Sequence, residues 1–203
     1  GQNLRRRRRC DRRPAGPARR AKMALTKLGV RFGAGAAADA LPVEVVQARP
    51  PRCGAEALNE YFRTRVSQDV RRRVSLCYVA IEEATNRVAG YYTLAACGIA
   101  LGDLPEAITK RLPRYPTVPA IRIGRLAIDR DFQGRKLGGV LVFDAIDRTC
   151  KSGIAAFAVV VDAKDDRAVA FYEHYGFQRL DEMKRTLFLP IGEALKRRVK
   201  TRP

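Results

Sequence analysis

The spacing of apolar residues changes period several times along the chain, and each change marks an element. In "GAEALNEYFRTRVSQDVRRRV" Leu58, Tyr61, Phe62, Val66 and Val70 recur at helical spacing, after a short strand "PVEVVQA". "SLCYVAIEE" and "RVAGYYTLAACGIAL" read as two strands across "ATN", a hairpin by length. Asp103 is placed to N-cap a short helix with Pro105 in its first turn and Leu104, Ile108 and Leu112 on one face. "AAFAVVVDA" is a continuous apolar run, as expected of a central strand covered on both sides. "DDRAVAFYEHYGF" reads as a helix with Ala168, Phe171, Tyr172 and Tyr175 inward and Gly176 at its end. "RTLFLPI" is a last strand before a basic C-terminal helix or tail.

The run "AIRIGRLAID" is strand-like, but its apolar phase slips. Ile121 and Ile123 share one parity, while Leu126 and Ile128 have the other. Strand side chains alternate with period two, so one extra residue at Gly124 or Arg125, a β-bulge, keeps both pairs on the core side. The alternative is a strand buried on both faces. After it, a helix over 137–151 carries its polar residues on one stripe, Asp144, Asp147, Arg148 and Lys151, with two acid-to-base pairs at i, i+4. Strand, glycine-rich loop, buried helix, central strand and second helix predict an α/β layered domain.

Composition narrows the setting. A chain of 203 residues suits one core with tails. Its longest apolar stretch, 88–101, falls short of the roughly 18 residues that span a bilayer, so no membrane association is expected. The basic N-terminal region lacks the apolar segment of a secretory signal. Five scattered cysteines with no C-x-x-C fit a reducing cytoplasm and argue against a metal site. The sole histidine, His174, falls on the polar side of its helix, where nothing nearby would orient it as a base.

The net charge is +19, but residues 1–22 hold ten basic residues and one acid, and residues 196–203 hold five basic residues and none. The folded part is therefore only mildly basic, and the excess sits in the tails. We expect a basic, disordered extension and linker over 1–40, a domain over 41–190 and a basic tail over 191–203. The extension either binds polyanions or lies upstream of a natural start at Met23.

The junction "RDFQGRKLGG" places glycines and cations between a strand and a helix. Helix N-termini present unpaired N–H groups and the positive end of a dipole, so phosphate is the natural ligand there. Gly134 and Gly138 would admit backbone to a ligand, and Arg135 and Lys136 add charge. The loop is neither G-x-x-x-x-G-K-S/T nor G-x-G-x-x-G, and by spacing alone a plain basic loop capping a helix is equally consistent.

Taken together, "GRLAIDRDFQGRKLGGVLVFDAI" and "FAVVVDAKDDRAVAFYEHYGF" resemble the two cofactor-binding motifs of the GNAT acetyltransferases. Upstream, "CGAEALNEYFRTRVSQD", "SLCYVAIEEATNRVAGYYTLAACGIAL" and "LPRYPTVPAIRIGRLAID" resemble more narrowly the GNAT toxins of bacterial toxin–antitoxin modules. The resemblance implies a GNAT-like mixed sheet flanked by helices, with acetyl-CoA as donor and its pyrophosphate held at Gln133, Gly134, Arg135, Lys136, Leu137, Gly138 and Gly139. It further implies that the Leu126 amide polarises the thioester carbonyl, that Ala127 and Ile128 align the pantetheine, and that Phe171 lines the cofactor site. Tyr172 would assist the departing thiolate; by position alone it would be core packing, the reading kept for Tyr175.

Two positions depart from the family pattern. Lys136 stands where the loop usually has Gly, and we expect it in the first helical turn with negative φ. Asp165 stands where many members have an Asn contacting pantetheine. For substrate, the resemblance implies the α-amine of aminoacyl-tRNA, a neutralising ribbon-helix-helix antitoxin and a homodimer. No Asp, Glu or His in the substrate-side segments stands out as a base, which an α-amine needs less than a lysine does. Arg63, Arg65, Arg71, Arg72 and Arg73, with Lys110, Arg111 and Arg114, are candidate RNA contacts or a solvated charged face. An acetyltransferase of a small-molecule or protein amine and a non-catalytic nucleic-acid-binding module stay open. The three serines, none in G-x-S-x-G, exclude a serine hydrolase.

Overall fold

The computed structural model describes residues 30–33, 50–180 and 185–200; the expected strand over 42–48 and most of the basic extension lie outside them. The described elements run β1 (Val30–Gly33), α1 (Glu56–Thr64), α2 (Val66–Arg71), β2 (Leu76–Glu82), β3 (Arg87–Ala100), α3 (Glu106–Thr109), β4 (Thr117–Ile128), α4 (Leu137–Lys151), β5 (Ala158–Asp162), α5 (Asp166–His174), β6 (Gln178–Arg179), β7 (Thr186–Pro190) and α6 (Ile191–Lys200). They form a sheet of order β1-β2-β3-β4-β5-β7-β6. Every neighbouring pair is antiparallel except β4 and β5. Parallel neighbours need a crossover, and the buried helix α4 supplies it.

Three sequence expectations are corrected. The sheet begins with β1, upstream of the boundary set at residue 41; Val30 and Phe32 alternate with a polar residue in a stretch short enough to pass for tail. The helix expected over 54–74 is two, broken at Arg65, whose φ of −116° is outside the helical range. Asp103 closes a 3₁₀ turn instead of capping α3, whose N-cap is Pro105. Leu104 is nonetheless buried, with Ile108 and Leu112 packed against the same cluster.

The sheet has two covered faces. On the first, Leu137, Leu141, Val142, Ala145 and Ile146 of α4, Val169 and Tyr172 of α5 and Ala194 of α6 pack on Ile123, Val159, Val161, Leu187 and Leu189. On the second, Tyr61, Phe62, Val66 and Val70 cover the β2–β3 half with Tyr91 and Ala127. Leu104 covers the other half with Ile99, Val118, Ala120, Val160 and Phe188. The polar stripe of α4 stays outside the core, with ion pairs Asp144–Arg148 at 2.7 Å and Asp147–Lys151 at 2.6 Å.

The side chains of Phe171 and Tyr175 lie directly against the first turn of α4. A Cβ on Gly139 would sit 2.0 Å from the Tyr175 hydroxyl and 2.6 Å from its ring, and one on Gly138 would meet Ile128 at 3.1 Å and Phe171 at 3.2 Å. The missing Cβ at Gly138 thus makes room for Ile128 and Phe171. Gly139→Ala should cost about 1–3 kcal/mol in a urea titration, because the Tyr175 ring must leave its place.

Candidate active site

The site forms where β4 leaves β5. Their parallel ladder covers Ala120↔Ala158 to Ile123↔Val161 and stops, although β4 continues to Ile128. At the same level the register of β4 against β3 shifts: Thr93 faces Arg125 and Leu94 faces Ile123, leaving Gly124 without a counterpart. Ile121, Ile123, Leu126 and Ile128 consequently all pack on the α4–α5 side despite their opposed parity. Arg125 and Ala127 turn to the other face, where the Arg125 guanidinium lies 3.5 Å from the centre of the Tyr61 ring. Beyond Ile123, the backbone of Leu126, Ala127 and Ile128 has no β5 partner and borders a gap between strands.

From that gap the chain turns through Asp129. Its buried carboxylate accepts hydrogen bonds from the Arg52 amide (2.7 Å), the Asp131 amide (3.0 Å) and the Arg87 guanidinium (3.1 Å). Asp131 pairs with Arg87 at 2.7 Å, which holds its carboxyl below the usual range. The Gln133 side-chain amide donates to the carbonyls of Ile128 and Cys53, both at 3.2 Å. Gln133 thus braces the loop through its side chain. Gly134 has φ +76° and open space around it.

The expectation for Lys136 is overturned: it is the N-cap of α4 in the left-handed region, φ +61°, not a first-turn residue. The backbone must reverse there to lead into Leu137, and Lys takes the conformation that glycine takes more easily. Lys136→Gly should raise stability by up to about 1 kcal/mol and weaken acetyl-CoA binding through the lost ammonium. Unfolding and calorimetric titrations read the two effects separately. No side chain caps α4, so its first N–H groups have no capping acceptor. Exposed Arg52, Arg130, Arg135 and Lys136 surround this end with no ion pair among the described residues. Arg52 and Arg130 were missed in the sequence because the fold alone brings Arg52 here, by the bonds to Asp129 and from the Arg130 amide to the Arg52 carbonyl. Loop and helix end fit a diphosphate: donors converge, cations are free and the one nearby acidic pair is already neutralised.

Across the gap, Tyr172 is buried between Phe171 and Phe177, with ring centroids 5.1 and 5.5 Å away. Burial pushes its phenol up to about 12. Its hydroxyl has no hydrogen-bond partner among the described residues. Phe171 is half-buried beside Gly138, and Asp165 N-caps α5 by accepting the Ala168 amide at 2.8 Å, a bond that lowers its pKa. His174 is exposed.

On the opposite face, the covers formed by α1–α2 and by α3 leave a band between them. Arg122, Gly124 and Asp162 reach the surface there. Arg122 pairs with Asp162 at 2.8 Å, and the Thr186 hydroxyl donates to the second Asp162 oxygen at 2.8 Å. Sequence reasoning missed this group; the one signal was a polar residue inside, or closing, an apolar strand. The cations proposed for RNA flank the band on α1–α2 and after α3. Arg63 and Lys110 are engaged with Glu56 and Glu106, whereas Arg65, Arg71, Arg72, Arg73, Arg111 and Arg114 are exposed without ion pairs among the described residues.

Known proteins are similar to this chain. Residues 106–187 match the acetyltransferase (GNAT) domain family. A tRNA-acetylating toxin of Mycobacterium tuberculosis is 37% identical over 127 residues, covering 62% of this chain and 74% of that protein. A probable toxin TacT of Sinorhizobium fredii is 30% identical over 149 residues, covering 69% and 82%. AtaT complexed with acetyl-methionyl-tRNAfMet superposes with a TM-score of 0.68 at 26% identity, covering 82% of this chain and 96% of that one. AtaTR bound with AcCoA gives 0.64 at 26%, covering 82% and 95%. A Tyr-to-Phe form of AtaT bound to the C-terminus of the antitoxin AtaR gives 0.61 at 25%, also covering 82% and 95%. With strand gap, open helix end and facing tyrosine in place, and with relatives of this identity over most of their length, the chain belongs to the GNAT acetyltransferases.

Proposed function

We propose that the protein transfers an acetyl group from acetyl-CoA to the α-amine of aminoacyl-tRNA and so blocks translation as the toxin of a toxin–antitoxin module. The observation that carries the reading is the coincidence of the β4–β5 gap with the register shift at Gly124, directly ahead of the Gln133–Gly139 loop. The M. tuberculosis relative and the AtaT–tRNA complex support the acceptor. The AtaR complex supports an antitoxin partner, for which the ribbon-helix-helix class and a toxin homodimer are our expectation.

Acetyl-CoA supplies an acyl group activated as a thioester. The amides at Gly134 to Gly139, with Arg52, Arg130, Arg135 and Lys136, hold its diphosphate. The backbone of Ala127 and Ile128 aligns the pantetheine, beside Phe171 and the α5 N-terminus at Asp165. The Leu126 amide, free of β5, meets the negative charge that grows on the carbonyl oxygen, a contact worth about 10²–10³ in rate. Tyr172 donates a hydrogen bond to the departing sulfur.

The test is acetylation of purified aminoacyl-tRNA, read by mass spectrometry of the released N-acetyl-aminoacyl-adenosine. Its rate should fall steeply with salt, since each phosphate neutralised at the Arg65, Arg71–Arg73, Arg111 and Arg114 surface adds to the slope. Acetylation of an amino-acid amide should change only modestly over the same range. Equal salt responses would move the acceptor to a small amine, and acetyl-CoA binding without acetylation of any amine would remove the enzymatic reading.

A further inference from the structure

The acceptor amine must lose a proton, and no residue considered so far takes it. We propose that Asp162, held by Arg122 and Thr186, receives the acceptor amine and acts as its general base; this rests on the amine-acceptor reading above.

The placement follows from the strands. Val161 is the last β5 residue facing β4, opposite Ile123, so Asp162 lies abreast of the unpaired Gly124. Val161 points into the α4–α5 core, hence Asp162 points to the other face, as do Val160 and Ala158. The Gln133–Gly139 loop and Tyr172 belong to the α4–α5 side. A donor entering from there presents its carbonyl, through the gap, to the face where Asp162 stands. The acceptor reaches that carbonyl from the band between α1–α2 and α3, flanked by the unpaired arginines.

The carboxylate is fixed yet available. Its side chain keeps 51% of its exposure. One oxygen accepts from Arg122 and the other from Thr186, each at 2.8 Å, which leaves a lone pair on each oxygen. Facing it are Arg122 from β4, Thr186 from β7 and, through Arg122, the Cys97 thiol of β3, whose pKa is raised chiefly by burial. A carboxylate can take the proton because the nitrogen becomes strongly acidic once it bonds to the carbonyl carbon. As the C–N bond forms, the N–H proton passes to Asp162. As the C–S bond breaks, sulfur leaves with the electron pair, held by a hydrogen bond from the Tyr172 hydroxyl, and takes its proton from water. Asp162 returns its proton to solvent, so the amide and the free thiol balance.

Three proteins are compared, wild type, Asp162→Asn and Asp162→Ala, each on a charged tRNA and on an amino-acid amide, with acetyl-CoA affinity measured by calorimetry. Asn preserves the volume and the Thr186 bond. We expect kcat on both acceptors to fall about 100-fold in both variants, acetyl-CoA affinity to stay within about twofold, and added formate to restore Asp162→Ala in a concentration-dependent way. Asp162→Asn within about threefold of wild type, Asp162→Ala unmoved by formate, or either variant failing to bind acetyl-CoA would overturn the assignment. Wild type inert on charged tRNA but active on the amide would instead overturn the tRNA reading and leave Asp162 to be judged on the amide.

Discussion

Tyr172→Phe should lower kcat by about 10²–10⁴-fold while leaving stability within about 1 kcal/mol of wild type. The two expectations come from different parts of one side chain. The ring packs edge-on to Phe171 and Phe177, and Phe keeps both contacts. The hydroxyl has no partner among the described residues, so removing it strands no neighbouring donor or acceptor. Burial lifts the phenol to about 12, so it stays protonated throughout the neutral range and can always donate. A thiol of ordinary pKa near 8.5 makes full proton transfer uphill by roughly 5 kcal/mol. The hydroxyl therefore acts mainly as a hydrogen bond to the growing thiolate, completed by water. Steady-state kinetics with a denaturant titration check both halves, and unchanged kcat would remove Tyr172 from the chemistry.

Asp129→Ala should cost about 2–4 kcal/mol and weaken acetyl-CoA binding at the same time. The carboxylate is almost wholly enclosed, its side chain keeping 3% of its exposure, and it satisfies two backbone amides and the Arg87 guanidinium. Its loss leaves the two amides without their acceptor, while Arg87 keeps Asp131. Both amides locate the site: the Arg52 amide brings that arginine to the loop, and the Asp131 amide closes the turn that leads to Gln133. Urea unfolding and acetyl-CoA calorimetry should both respond, and Asp129→Asn, which retains one acceptor oxygen, should fall between. A loss below about 1 kcal/mol would mean that the turn is held by other contacts.

The sequence was readable wherever a single period decided the outcome. Helix α4 falls on the expected 137–151, since its polar stripe leaves no other face for the core. The slip of phase between Ile123 and Leu126 pointed to Gly124, where the register shift lies. Contacts that depend on tertiary closure were not legible. Nothing local shows how tightly Gly138 packs, because Phe171 and Ile128 come from other elements. The positive φ of Lys136 runs against the intrinsic preference of its residue type, so local reasoning favoured the wrong conformation. Asp162 and Arg122 were hidden for a related reason: each is one polar residue in an apolar strand, and only pairing β4 with β5 and β5 with β7 makes them a group.

The account turns on the gap beside Leu126 receiving the thioester. A crystal structure with acetyl-CoA measures this directly. The account predicts the diphosphate on the amides of Gly134 to Gly139 and the thioester oxygen within hydrogen-bond distance of the Leu126 amide, with Asp162 on the far side. Acetyl-CoA bound elsewhere, or β4 and β5 paired continuously past Ile123, would contradict it.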